Sequence, residues 1–160
     1  MIRRLASVTA AALLAGCAPG LLQEGHTLAG RAWDVRAERF LEPAEAWSRA
    51  AAARYVLLGE THDNPAHQRL HRRALEALAA SGAPRRIALE QFDLEHQPAL
   101  DAARAAGGDA EALADAGRFD RAGWGWPRYR PLVDFALARG WPLAAANLSR
   151  AALRAASRAG

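Results

Sequence analysis

The segment from Tyr55 to His67 constrains the fold more than any other stretch of the chain. It begins with the apolar run Tyr-Val-Leu-Leu, which is too short for a buried helix and ends at Gly59, so we expect a strand buried on both faces. Asn64 is a favourable helix N-cap, and Pro65 suits the first helical position. The intervening Gly-Glu-Thr-His-Asp segment therefore follows the carboxyl end of a strand, where ligands bind in open α/β sheets.

Two further apolar runs repeat this alternation of strand and helix. Residues 86–89 and 141–146 are the predicted second and third strands, and an edge strand is predicted within residues 27–35. Apolar spacing, caps and Gly or Pro breaks predict helices over residues 43–53, 65–80, 98–106, 109–116, 128–139 and 149–157. The predicted fold class is α/β, a parallel sheet with flanking helices in a layered arrangement. Doubly wound sheets usually have more strands than are predicted here, so we expect the chain to be the amino-terminal part of a larger domain.

The first residues have the features of a bacterial lipoprotein signal peptide. Arg3 and Arg4 precede an apolar region that is too short to span a bilayer, and the Leu-Ala-Gly-Cys sequence ending at Cys17 resembles a lipobox. The alternative is an ordinary signal peptide with a chance cysteine. We expect a signal peptide at residues 1–16 and a tether at residues 17–26 that is lipidated at Cys17. One domain then covers residues 27–160. In a Gram-negative bacterium, Ala18 after the cysteine, unlike an aspartate, would favour sorting to the outer membrane.

The basic residues do not indicate nucleic-acid binding. All 21 are arginine, and they are spread along the chain without interleaved aromatic residues. Loss of Arg3 and Arg4 with the signal peptide lowers the formal net charge from +4 to +2. We therefore expect acyl chains, not a basic patch, to hold the protein at the membrane.

Side chains suited to metal binding and acid–base chemistry follow the predicted strands. Glu60 and His62 are two residues apart in an extended segment and so project to the same side. Glu90 and Asn147 follow the other two strands, and His67 lies at the start of the next helix. Such residues can bind a divalent metal, transfer protons or ligate haem iron, and their spacing alone leaves these alternatives open.

Structural roles remain an alternative for these residues. Glu60 would then cap the following helix, and Glu90 would pair with Arg85 or Arg86. For His71, on the buried stripe of the same helix, a hydrogen bond to a backbone carbonyl is preferred over a ligand role. For His67 both roles stay open.

Four motifs, in order and spacing, resemble the ChaN-like haem-binding lipoproteins, over about residues 30–155. They are Leu-Gly-Glu-Thr-His-Asp-Asn-Pro-Ala-His-Gln at 58–68, Ala-Leu-Glu-Gln-Phe at 88–92, the aromatic segment at 124–132, and Ala-Ala-Asn-Leu-Ser-Arg at 145–150. The Gly-Glu-x-His part of the first motif is shared with a wider superfamily, which includes erythromycin esterases and TIKI and TraB-type proteins.

The resemblance implies a surface lipoprotein that binds haem and takes part in haem and iron uptake, with an outer-membrane receptor and a homodimer formed around haem. Because the family is associated with tyrosine ligation, Tyr129 is the expected iron ligand, and packing on the sheet is its alternative role. Tyr55 is expected to begin a buried strand, away from the cleft. The expected haem-binding residues are Tyr129, His62, His67, Trp124, Trp126, Arg128, Arg130, Asn147 and Arg150.

Three functions are therefore considered. Haem binding without catalysis is the preferred one. The second is a metal-dependent hydrolase in which Glu60, His62 and Glu90 hold a divalent metal or activate water. The third is a membrane-anchored scaffold whose cleft has no ligand.

Overall fold

The computed structural model describes residues 26–159. The predicted signal peptide, Cys17 and nearly all of the tether lie outside these residues. The chain divides into two compact units, with the boundary between Ala46 and Trp47. In the part of the chain that the structure describes, no helix is both long enough and apolar enough to span a membrane.

The first unit contains a short antiparallel hairpin. Strands β1 (Ala32–Asp34) and β2 (Arg39–Leu41) pair with Trp33 opposite Phe40, and these two rings meet edge to face at 4.8 Å between centroids. The Asp34 carboxylate closes the turn by accepting the amides of Arg36 and Ala37, both at 3.0 Å. The predicted edge strand is thus one arm of a hairpin.

The second unit is built on a parallel pair of strands covered by helices. Strands β3 (Ile87–Asp93) and β4 (Leu143–Asn147) pair from Ile87 opposite Leu143 to Asp93 opposite Asn147, with an irregularity after Leu89. The helices are α1 (Pro43–Ala52, which crosses the unit boundary), α2 (Pro65–Ala80), α3 (Gln97–Ala105), α4 (Ala110–Ala116), α5 (Trp126–Ala138) and α6 (Arg150–Ala159). The predicted α/β class with a parallel sheet is confirmed.

Capping residues explain where the central helices begin. Asn64 accepts the Ala66 amide at 2.9 Å and Pro65 follows, so α2 starts where the sequence predicts. Asp109 caps α4 in the same way by accepting the Ala112 amide at 2.9 Å. Local chemistry therefore determines both helix starts.

The core of the second unit lies between the sheet and helices α2 to α5. Phe92 of β3 packs edge to face on Phe119, which in turn meets the ring of Trp126. Leu113 and Val133 are fully buried beside these aromatic rings. This packing joins α4 and α5 to β3, the strand that carries Glu90.

The predicted first strand, Tyr55 to Leu58, is wrong. The segment has no regular secondary structure, and Tyr55 and Leu57 are 75% and 94% exposed. Only Val56 packs against the core. A strand buried on both faces needs a hydrogen-bonded neighbour and cover on each side, and the described sheet consists of β3 and β4 alone.

Candidate binding site around Glu60

A buried carboxylate is the centre of the site. The Glu60 side chain is 6% exposed and accepts hydrogen bonds from the Tyr129 hydroxyl and from Gln68 Nε2 at 2.5 Å. His62 Nδ1 lies 2.9 Å from Oε1, and His71 Nδ1 lies 3.3 Å from Oε2. Burial of a carboxylate is costly unless donors replace its water, and these four side chains do so.

The loop that carries Glu60 is tied back to helix α2. His67, in the first turn of the helix, accepts the Thr61 amide at its Nδ1 (2.8 Å), and the Asn64 amide bonds to the Thr61 carbonyl (2.9 Å). His67 therefore positions the loop. Asn64, not Glu60, caps α2, so the capping role considered for Glu60 is wrong.

His62 projects from this loop as a partly exposed imidazole. Its side chain is 50% exposed, and its ring meets Trp124 edge to face at 4.6 Å between centroids. Because Nδ1 faces Glu60, a neutral imidazole that carries its proton there presents the lone pair of Nε2. This arrangement resembles that of metal-bound histidines, in which a carboxylate holds the nitrogen that does not ligate.

The electrostatics of Glu60 and Tyr129 are coupled. Burial is the largest influence on Glu60 and raises its pKa, but hydrogen bonds from Tyr129 and His62 and the nearby His71 together hold the pKa below its usual range. Burial, followed by the hydrogen bond to Glu60, raises the pKa of Tyr129 well above its usual value. The carboxylate is therefore ionised and the hydroxyl protonated at neutral pH.

Tyr129 faces inward from helix α5. Its residue is 1% exposed, and its hydroxyl donates to Glu60. A phenolate ligand of ferric iron would have to lose both the proton and this contact. Tyr129 as iron ligand stays a prediction, and the geometry instead favours a role in orienting Glu60.

The aromatic segment before α5 contains a π-helical turn over Arg121–Gly125 that runs directly into the helix. Asp120 caps the turn by accepting the Gly123 amide at 2.8 Å. Trp126 is buried and donates from Nε1 to Glu111 at 2.7 Å, whereas Trp124 is partly exposed beside His62.

Three potential metal ligands converge at this site. The side chains of Glu60, His62 and Glu90 each offer an atom, and these atoms lie within 4.8 Å of one another. Glu90 Oε1 lies 3.7 Å from His62 Nδ1. The expected closeness of Glu60, His62 and Glu90 is thus present, but not at strand ends: Glu90 lies within β3, which continues to Asp93, and the segment just before Glu60 is not a strand. Asn147 is not in this group.

Other predicted residues lie in different surroundings. Asn147 donates from Nδ2 to Asp93 at 2.9 Å, at the paired ends of β3 and β4. Arg130 lies 3.5 Å from both Glu111 and Asp134. Arg128 and Arg150 are exposed at the starts of α5 and α6.

Arg85 does not pair with Glu90 as considered from the sequence. Its guanidinium donates to the Ala53 carbonyl at 3.0 Å and to the Ala51 carbonyl. Arg85 thereby holds the end of α1 beside the start of β3.

Sequence analysis did not identify Gln68 as a partner of Glu60, although it lies in the first motif. Gln68 and His71 are three residues apart on α2 and so share a face. This spacing, with His67 one residue earlier, is the signal that could have identified both as facing the site.

The structure is that of an α/β protein in which a buried carboxylate bonds to a half-exposed imidazole, an arrangement suited to holding a ligand or a metal. A family model described as "Haem-binding uptake, Tiki superfamily, ChaN" matches residues 46–160. The chain belongs to this family, which confirms the resemblance found in its motifs.

A solved structure described as "Cofacial heme binding to ChaN of Campylobacter jejuni" is similar in fold. The TM-score is 0.70 and the sequence identity 23%, over 81% of this chain and 53% of that chain. This chain therefore spans about half the length of that protein. A comparison with curated proteins gave no match.

Proposed function

We propose that this chain binds haem at the exposed face of His62, with Nε2 as the iron ligand. The observation that carries the proposal is the half-exposed imidazole whose other nitrogen is held by the buried Glu60 carboxylate. Such a carboxylate partner fixes the ring orientation and makes the imidazole a stronger donor. Membership of a haem-binding uptake family supports the choice of ligand.

The surroundings of His62 suit a flat aromatic ligand. Trp124 stands edge-on to the imidazole and is partly exposed, so its ring offers apolar surface next to the iron position. Haem bound here would supply an iron centre. The residues of the chain would bind, orient and shield it, and no residue is assigned a catalytic role.

We extend the proposal to a lipid-anchored protein of the bacterial outer membrane that takes part in haem and iron uptake. The lipobox ending at Cys17 and the basic start of the chain support the anchor. An outer-membrane haem receptor as partner and a homodimer around haem belong to the same proposal. The cofacial haem binding described for the Campylobacter protein supports a paired arrangement.

An absorbance titration with hemin tests the haem site. We expect the purified chain from residue 27 onward to give a saturable Soret band, and His62→Gln to shift that band and weaken binding. His96→Gln is the matched control, since His96 is a partly exposed histidine with no described contact to Glu60. An identical spectrum and affinity for His62→Gln would refute ligation by His62.

A metal-dependent hydrolase is the second candidate function, because three ligand atoms from Glu60, His62 and Glu90 already lie within 4.8 Å of one another. Its test is hydrolysis of ester and peptide substrates with Mn²⁺ or Zn²⁺ added. Activity that Glu90→Gln and chelation both abolish, with hemin affinity unchanged by the substitution, would favour this function.

A further inference from the structure

A π-helical turn carries Trp124 to the side of His62, and Glu111 of α4 holds both ends of this turn. Oε2 of Glu111 accepts a hydrogen bond from Nη2 of Arg121, the first residue of the turn, at 3.0 Å. Oε1 accepts one from Nε1 of Trp126, the residue that directly follows the turn, at 2.7 Å. One carboxylate thus bridges the two residues between which Trp124 lies.

The backbone of the turn gives it little support of its own. π-Helices are rare, and two of the five residues from Arg121 to Gly125 are glycines, which have a low helix propensity. Gly125 has a φ of +74°, in the left-handed region that favours glycine, so the turn and α5 meet at a residue with few steric restrictions. Side-chain contacts with α4 therefore help to fix the turn, and Arg121 makes a second one with Asp115 at 2.8 Å.

The electrostatics of Glu111 suit this bridging role. Hydrogen bonds from Trp126 and Arg121, with the nearby charge of Arg130, hold the pKa of Glu111 below its usual range. The carboxylate is therefore ionised at neutral pH and has both oxygens available as acceptors. Its bond with Trp126 is partly buried, because Trp126 is 6% exposed, so water competes with it less than with an exposed ion pair.

The turn determines where the Trp124 ring lies. This ring meets His62 edge to face at 4.6 Å between centroids. Because Trp124 is three residues after Arg121 and two before Trp126, release of the turn at either end would change the position of the ring relative to His62. Among the described hydrogen bonds and ion pairs of Glu111, none reaches His62, so an effect of Glu111 on His62 passes through the turn.

We propose that Glu111 is a positioning residue for the haem site. By holding both ends of the π-helical turn, it fixes the Trp124 ring beside the exposed face of His62, where the ring offers apolar surface to the ligand. The inference rests on the proposed function and adds to it a residue of α4, a helix that lies outside all four sequence motifs.

A double-mutant cycle between Glu111 and Trp124, measured by hemin affinity, tests this role. We expect Glu111→Ala to weaken hemin binding roughly fivefold, within the range that coupled neighbours show. Glu111→Gln keeps an oxygen acceptor for Trp126 and loses the charge that holds Arg121. Its hemin affinity should therefore lie between those of Glu111→Ala and the wild type.

Trp124→Ala decides whether Glu111 acts through the turn. In the Trp124→Ala background we expect Glu111→Ala to cause no further loss of hemin affinity, because the ring that Glu111 positions is gone. A role of Glu111 in overall stability alone would give the same fold decrease in both backgrounds, and that result would overturn the inference. Glu76→Ala is the matched control, since Glu76 is also a half-exposed partner of an arginine, and it should bind hemin like the wild type.

NMR of the haem-free protein tests the same contact without any ligand. The His62 ring protons lie beside Trp124 and therefore experience its ring current, and His62→Gln assigns their signal among those of the five histidines. We expect Glu111→Ala to shift this signal in the same direction as Trp124→Ala does, and Glu76→Ala to leave it in place. A His62 signal that Glu111→Ala does not move would overturn the inference.

The two measurements keep this inference separate from the proposed function. Hemin binding that depends on His62, with unchanged affinity for Glu111→Ala, would retain the haem site and refute the positioning role. Hemin affinity that is unchanged in His62→Gln, together with a shifted His62 signal in Glu111→Ala, would refute ligation by His62 and retain the positioning of Trp124 by Glu111.

Discussion

Replacing Tyr129 by phenylalanine separates the two roles considered for this residue. The ring is 1% exposed and packs at 5.8 Å from Phe119, so Tyr129→Phe keeps the core contacts and removes only the hydroxyl. The Glu60 carboxylate then retains Gln68, His62 and His71 as partners and loses one charge-assisted bond. Such bonds contribute about 1.5–3 kcal/mol, so we expect the free energy of unfolding to fall by about 2 kcal/mol.

Urea unfolding and hemin titration of the same samples measure the two effects. We expect a lower urea midpoint for Tyr129→Phe, with an unchanged dependence on urea concentration. The Soret band should keep its position, because the hydroxyl faces Glu60 and not the exposed side of His62. Any decrease in hemin affinity should be small and should reflect a less firmly held Glu60.

Tyr55→Phe is the control, since Tyr55 is 75% exposed and its loss of a hydroxyl should change neither measurement. An unchanged urea midpoint for Tyr129→Phe together with a lost Soret band would refute the reasoning. Tyr129 would then reach the iron, as the family resemblance implied, and the hydrogen bond to Glu60 would contribute little to stability.

The remaining predictions concern packing, pH and the π-helical turn. Gly117→Ala should lower the free energy of unfolding, measured with urea, by about 1–3 kcal/mol, because the new Cβ would lie 2.5 Å from Phe92. Gly59→Ala is the control, since the space around Gly59 is open and the free energy of unfolding should not fall. Because the pKa of Glu60 is lowered on folding, its contribution to stability is present above about pH 4.3 and is lost as the pH falls through the lower folded value. Glu60→Gln should remove that part of the pH dependence of urea unfolding. Asp120→Ala should cost about 1 kcal/mol in the same assay by removing the cap of the π-helical turn, and tryptophan fluorescence should report the altered turn.

The helices could be predicted closely because their ends are determined locally. Asn64 and Pro65 start α2, and Gly82, at a φ of +70°, follows its end. The parallel pairing of β3 with β4 also followed from the alternation of short apolar runs with helices. In each case the deciding residues are close together in the sequence.

The segment from Tyr55 to Leu58 shows where local pattern fails. Four consecutive apolar residues favour a buried strand, but burial depends on what lies on either side. Arg85 holds the chain just before this segment, and Glu60 is held just after it. The segment between them has no strand partner among the described residues, so its side chains other than Val56 stay exposed.

The sequence predicted several residues of the candidate site, but not the hydrogen bonds that join them. Glu60, His62 and Glu90 lie close together as expected, but the strand-end argument does not explain it, because the segment before Glu60 is not a strand and Glu90 lies within β3. The bond from Tyr129 to Glu60 joins residues 69 positions apart, and no sequence spacing indicates it. Tyr129 was therefore assigned to iron by resemblance, with packing on the sheet as the alternative.

The two candidate functions make opposite demands on His62. Haem ligation uses Nε2 and keeps Nδ1 bonded to Glu60, so the present geometry already suits it. The His62 nitrogen near both carboxylates is Nδ1, which lies 2.9 Å from Glu60 and 3.7 Å from Glu90, so a metal shared by the three residues would use it. The ion would have to replace the hydrogen bond between His62 and Glu60.

The role of Glu90 follows from this contrast. Its side chain is 53% exposed, and it contacts the site through His62 Nδ1 alone among the described ion pairs. If the site binds haem, Glu90→Gln should leave the hemin affinity nearly unchanged. If it binds a divalent metal, the substitution removes one of three ligands and should weaken metal binding at least tenfold, since loss of even an outer-shell partner often does so. His62 cannot use Nδ1 both for its hydrogen bond to Glu60 and for a metal. A metal that occupies this site should therefore weaken hemin binding in proportion to the fraction of sites it fills.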